Sequence, residues 1–215
     1  MSKPLPAPDP AFVALRTTGS GSVAGAIVVC AAIGSIAGGL SGLVWGGIGG
    51  RIAMRIVLLT SDDRVRGITS DDGFRIGTIS AATIFLLIFT TILGAMAGFA
   101  SGLIRMVTAG PTWAVAIGST VAAASIGGAA IVHTDGVDFR FLEPLWLTVG
   151  LFVLIPGLWG ASVVIVTERI LRSPSVTGLP AQIHRRYTGA VGWLALVAVT
   201  SLGVRDLVAD IGALA

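Results

Sequence analysis

The chain has 215 residues, of which 54% are hydrophobic and 12% charged, with a formal net charge of +3 and a mean hydropathy of +0.92. Those values exclude a soluble domain with a polar surface, and a single cysteine, Cys30, excludes an intrachain disulfide and a cysteine metal cluster. Despite a pI near 10.0, the basic residues are scattered between hydrophobic blocks and form no arm or stripe, which excludes nucleic acid as a partner.

Residues 1–21 are rich in Pro, Gly and Ser without an apolar core, so they read as a disordered tail and not as a cleavable signal peptide. Val29 before Cys30 is not the small residue that a lipoprotein cleavage site needs. Residues 22–215 read as one all-α integral membrane domain, a bundle of about five transmembrane helices with glycine-stripe packing. The first apolar block, Ser22 to Gly50, carries a glycine ladder at Gly34, Gly38, Gly42, Gly46 and Gly50. Four-residue spacing puts these on one face of a helix and lets a neighbouring backbone approach, either within the chain or from a second copy or partner.

Arg51 and Arg55 follow, spaced for one face of a continuing helix, where they serve as interface anchors or face a buried carboxylate or anionic headgroup. A short tandem repeat, Thr60-Ser61-Asp62-Asp63 and then Thr69-Ser70-Asp71-Asp72, supplies N-cap residues, so Ser70 or Asp71 is expected to start the next helix. The second block, Thr78 to Ile104, repeats the ladder at Gly94, Gly98 and Gly102. The third, Trp113 to Val132, is rich in Ala, Gly and Ser and is expected to be buried among the others.

The connection after it holds His133, Asp135 and Asp138, weak candidates for a metal site, and its Asp-Gly pair and Pro144 equally suit a tight turn before a new helix. In the fourth block, Leu145 to Val166, Pro156-Gly157 is expected to make a packing kink. Glu168 just beyond it reads as neutralised by the adjacent Arg169. The fifth block, Gly189 to Val204, is short before Arg205, with a mixed end to Ala209; Arg205 is expected to snorkel to the interface. Asp206 and Asp210 lie one turn apart and share a side of the membrane with Arg51 and Arg55, so pairing between the two sets is geometrically open.

Loop charge gives an orientation. With five spans the N-terminal side carries Lys3, Arg16, Arg105, Arg169, Arg172, Arg185 and Arg186 against only Asp9 and Glu168. The opposite side has as many basic residues but nine acids. Lys/Arg counts alone are therefore balanced, and it is the acid asymmetry with the Arg185-Arg186 pair that favours the N-terminus inside. Near-exclusive use of arginine over lysine and the lack of asparagine fit a GC-rich bacterial genome, and hence a bacterial cytoplasmic membrane.

Catalytic patterns are weak. Gly39-Leu40-Ser41-Gly42 is similar to the GxSG of rhomboid proteases, but Ser41 falls well inside the first block while His133 and His184 sit in connections, at the wrong depth for a pair. Gly46-Gly47-Ile48-Gly49-Gly50-Arg51 resembles the glycine-rich opening of small fluoride channels, whose asparagine signature in the next span this chain lacks. The fullest resemblance, on GGIGGRIAMRIVLLTSDD with GITSDDGFRIG and on DGVDFRFLEPLWLTVGLFVLIPGLWG, is to uncharacterised small polytopic membrane proteins of actinobacteria. It covers most of the chain after the tail and implies no activity. The sequence thus leads to the expectation of a non-catalytic accessory or assembly subunit of a membrane complex, without cofactor. Its partners would be membrane lipids and another membrane protein or a second copy. The alternative is a small, homo-oligomeric channel or carrier whose polar face includes Arg51, Arg55, Asp206 and Asp210.

Overall fold

A computed structural model describes residues 23–61, 81–132, 144–172 and 188–214. All of its regular structure is helical. Helix α1 (Val23–Ser41) continues without a break through a π-helical segment, Gly42–Gly49, into α2 (Gly50–Thr60). Then follow α3 (Ala81–Val107), α4 (Thr112–Ile131), α5 (Leu145–Leu171) and α6 (Thr188–Leu214). Five stretches are long and apolar enough to cross a membrane: Gly25–Thr60, Ala81–Val107, Thr112–Ile131, Leu145–Leu171 and Gly189–Leu214.

The distribution of side chains is that of a protein dissolved in lipid. On α3 the buried positions are Gly94, Gly98 and Gly102, while Ile84, Phe85, Ile88, Phe89, Ile92, Leu93 and Met96 point outward. Small residues inside and branched or aromatic ones outside is the pattern expected where the surroundings are as apolar as the core and close approach drives association. Backbone polar groups are satisfied within each helix. Hydroxyls follow the same rule: Thr91, Thr108, Thr120, Ser125 and Ser162 each donate to the carbonyl four residues back.

Two tight helix pairs build the bundle, α1 with α3 and α4 with α5, and α6 completes it against α4. In the second pair an added Cβ at Gly160 would lie 2.4 Å from the Ser119 carbonyl oxygen, and one at Gly127 would strike the Pro156 ring at the same distance. Helix α5 continues through Pro156, and the Pro156 ring occupies the space of the side chain that Gly127 lacks. At the end of the bundle opposite the N-terminus, Val132 and Phe152 form a core on which Met54 of α2 and Leu207 and Ile211 of α6 pack.

Several boundaries differ from those read in the sequence, three of them in ways that bear on packing. The first span does not stop at Gly50 but extends to Thr60, 36 residues in all, or about 54 Å at 1.5 Å per residue. Its charged residues do not end it because Ala53, Val57 and Leu58 keep a buried face on the same helix. The last helix likewise passes Arg205 and ends at Leu214, because Leu207 and Ile211 continue its packing face. The fourth span extends past Val166 to Leu171. The N-terminal tail, most of the tandem repeat and residues 78–80 lie outside the described residues.

Candidate functional site

Along the α1–α3 seam, backbone meets backbone. A Cβ at Gly38 would sit 2.2 Å from the Gly94 carbonyl oxygen and 2.6 Å from Gly98 Cα, and one at Gly34 would sit 2.3 Å from the Gly98 oxygen. A Cβ at Gly42 would sit 2.3 Å from the Thr90 oxygen, and one at Gly102 would sit 2.4 Å from the Cys30 oxygen. The two ladders thus face each other within one chain, with no room for a side chain on either.

The ladder then changes register. An added Cβ at Gly46 meets only the Thr90 side chain, at 3.0 Å, and one at Gly50 meets nothing within 4 Å. The buried position beside Leu87 and Thr90 belongs to Gly47. The π-helical segment accounts for this, because a wider turn accommodates one extra residue and rotates everything after it by one position. The stripe facing α3 consequently reads 34, 38, 42, 47 and 51. Its last member is Arg51, whose guanidinium donates to the Thr83 hydroxyl of α3. Trp159 of α5 marks where the change begins: its indole N–H donates to the Gly38 carbonyl at 3.0 Å, joining α5 to the seam one turn ahead of the π segment.

A second polar constellation lies at the N-terminal side of the bundle, where α3 and α5 end and α4 and α6 begin. Arg105 Nε donates to Glu168 Oε1 at 2.6 Å, and its Nη1 donates to the Thr108 carbonyl at 2.7 Å. Glu168 Oε2 accepts from Arg172 Nη2 at 3.3 Å, and the same nitrogen donates to the Thr112 hydroxyl at 2.8 Å. The Arg105–Glu168 pair is largely enclosed, at 15% and 13% side-chain exposure, whereas Arg172 is 71% exposed. Glu168 is therefore neutralised across helices by Arg105, and along its own helix by Arg172 one turn on; the adjacent Arg169 is exposed and makes no ion pair with it. Successive residues of a helix do not face each other, which is why the neighbour in sequence is not the partner.

The connection between α3 and α4 is shaped to let this cap close. Gly110 has φ of +133°, a conformation that residues with side chains rarely adopt. The Trp193 ring of α6 lies 3.8 Å from the position of its missing Cβ, and the indole N–H donates to the Ala109 carbonyl at 2.7 Å. Gly118 makes room for the same ring, since a Cβ there would stand 2.8 Å from it.

Comparison with protein-family models, curated proteins and solved structures returns no match.

The charges proposed to pair at the opposite membrane boundary are not brought together. Among the described residues no ion pair joins Arg51 or Arg55 to Asp206 or Asp210. The Val132–Phe152 core stands between α2 and α6, Leu207 and Ile211 take the inward positions of α6, and Asp206 and Arg55 are exposed. Ser41 is buried in mid-span, while His133, Asp135, Asp138 and His184 lie outside the described residues. Nothing in the sequence singled out Arg105, Arg172, Trp159 or Trp193 as partners of the groups they meet. A signal for the first was present in the side of the membrane that loop charge gives to both Arg105 and Glu168.

Proposed function

We propose that this chain is a non-catalytic accessory or assembly subunit of a larger membrane complex, in the bacterial cytoplasmic membrane with its N-terminus inside. The observation that carries the reading is α3, whose only fully buried residues are Gly94, Gly98 and Gly102 and which turns Ile84, Phe85, Ile88, Phe89, Ile92, Leu93 and Met96 outward, with the Phe85 and Phe89 rings stacked at 5.9 Å. A helix uncovered to that extent offers a flank to lipid and to another membrane protein, or to a second copy. A photo-crosslinking amino acid in place of Phe89, in the native membrane, is expected to capture one protein of defined mass that also copurifies after mild detergent extraction. Adducts with lipid alone would contradict the reading.

The alternative, a small channel or carrier, has one observation in its favour: the π segment directs a cation, Arg51, at a neighbouring helix within the bundle. Purified chain in proteoliposomes decides between the two. The subunit reading predicts no ion or solute flux above empty vesicles, and a robust flux abolished by Arg51→Gln in a folded variant would establish the alternative.

A further inference from the structure

The cap at the N-terminal side leaves positive charge uncompensated, and its position says what would compensate it. Among the described residues three guanidinium groups, Arg105, Arg169 and Arg172, stand there against one carboxylate, Glu168, whose two oxygens are taken by Arg105 and Arg172. Arg105 is turned inward, where its Nη1 also donates to the Thr108 carbonyl. Arg169 and Arg172 are both exposed and lie three residues apart, so their guanidinium groups leave α5 on the same side. Arg172 is also held in place, because one nitrogen bridges Glu168 and the Thr112 hydroxyl of α4. Beside Thr112, Trp113 is 67% exposed.

All four residues stand at helix ends on one side of the bundle, Thr112 and Trp113 opening α4 and Arg169 and Arg172 closing α5, where a spanning helix meets the headgroups. Arginine gives two-pronged donors matched to phosphate oxygens, and an amphipathic tryptophan ring settles at the boundary between headgroups and acyl chains. We propose that Arg169 and Arg172, with Thr112 and Trp113, form a binding site for the phosphate group of an anionic phospholipid. Arg172 is positioned in advance by its bonds to Glu168 and Thr112, Arg169 supplies the second cation, and Trp113 packs on the upper acyl chain. The ordering of Arg172 before binding lowers the entropy lost when the phosphate arrives.

The test uses the full chain in detergent, titrated with phosphatidylglycerol and followed by native mass spectrometry, with phosphatidylcholine as the neutral probe. Wild type is expected to retain phosphatidylglycerol selectively. Arg169→Gln, which touches no other described residue through a hydrogen bond or ion pair, should weaken retention roughly fivefold while leaving the elution profile intact, the worth of one interfacial cation. Arg169→Gln with Arg172→Gln should weaken it by roughly tenfold or more, and Arg205→Gln at the other end of the bundle should change nothing. An excess of inorganic phosphate should fail to displace the lipid, since the free anion gains no acyl contact; full displacement would mean a site for a free phosphate and overturn the lipid assignment. Equal retention of phosphatidylglycerol by wild type and the folded Arg169→Gln variant would refute the site.

Discussion

Gly38→Ala puts one methyl group into the α1–α3 seam, and the geometry fixes what must follow. The new Cβ would lie 2.2 Å from the Gly94 oxygen and 2.6 Å from Gly98 Cα, where ordinary contact starts at 3.4 Å. Both neighbours are backbone, so no side chain can turn aside, and the two helices have to separate by about 1.2 Å, the difference between 3.4 and 2.2 Å. Overpacking of this kind costs about 1 to 3 kcal/mol, and a rigid backbone on both sides puts this site in the upper half of that range. Separation would also stretch the Trp159 bond to the Gly38 carbonyl, now 3.0 Å. Gly50→Ala is the matched control, with the same methyl on the same continuous helix and nothing within 4 Å of it, so it meets no clash and should not destabilise the helix. Reversible unfolding in mixed micelles, followed by circular dichroism, measures both. Equal stability of the two variants would refute the seam.

Other outcomes follow from the same contacts. Arg105→Leu leaves Glu168 enclosed with only the exposed Arg172 beside it and should cost about 2 to 3 kcal/mol, less than the loss of an isolated buried pair; adding Glu168→Leu should restore at least half of that in the same unfolding assay. Deleting Ile48 from the π segment should be tolerated, because the shortened helix then carries 42, 46 and 51 on one α-helical stripe and keeps Arg51 toward Thr83. Inserting an alanine after Ile48 turns Arg51 away by about 100°, so folded yield should fall well below that of the deletion. In a Cys30→Ala background, Thr60→Cys and Ala109→Cys should label from opposite sides of intact cells, Thr60→Cys from outside, and equal labelling would contradict five spans.

How far the sequence reached depends on the kind of signal each feature leaves. The helices and their membrane character were legible because an apolar block of about twenty residues has the length that a bilayer crossing demands and lacks the polar face that a water-facing helix needs. The ladders were legible as contact faces through Gly42, since side-chain-free positions four apart align on any α-helix. Past Gly42 the spacing of four persists in the sequence while the backbone takes up one more residue, and glycines at 46, 47, 49 and 50 leave either register open. Nothing local distinguishes them; Leu87 and Thr90 on the opposing helix do. Charge pairing was legible only as far as the side of the membrane. That was enough to allow both Arg105 with Glu168 and Arg55 with Asp206, and only packing separates the first, which meets, from the second, which has a hydrophobic core between its helices. Trp159 left no sequence signal, because its partner is a backbone carbonyl 121 residues away.

The bundle depends most on the α1–α3 seam being closed within a single chain, and one pair of cysteines tests it. The Cβ position at Gly39 lies 3.4 Å from Ala95 Cβ, close to the roughly 3.5 to 4.5 Å spanned by a disulfide. In a Cys30→Ala background, Gly39→Cys with Ala95→Cys should oxidise in the native membrane to a monomer with altered mobility on a non-reducing gel, reversed by thiol. A covalent dimer, or no bond at all under conditions that oxidise a solvent-exposed pair, would contradict it.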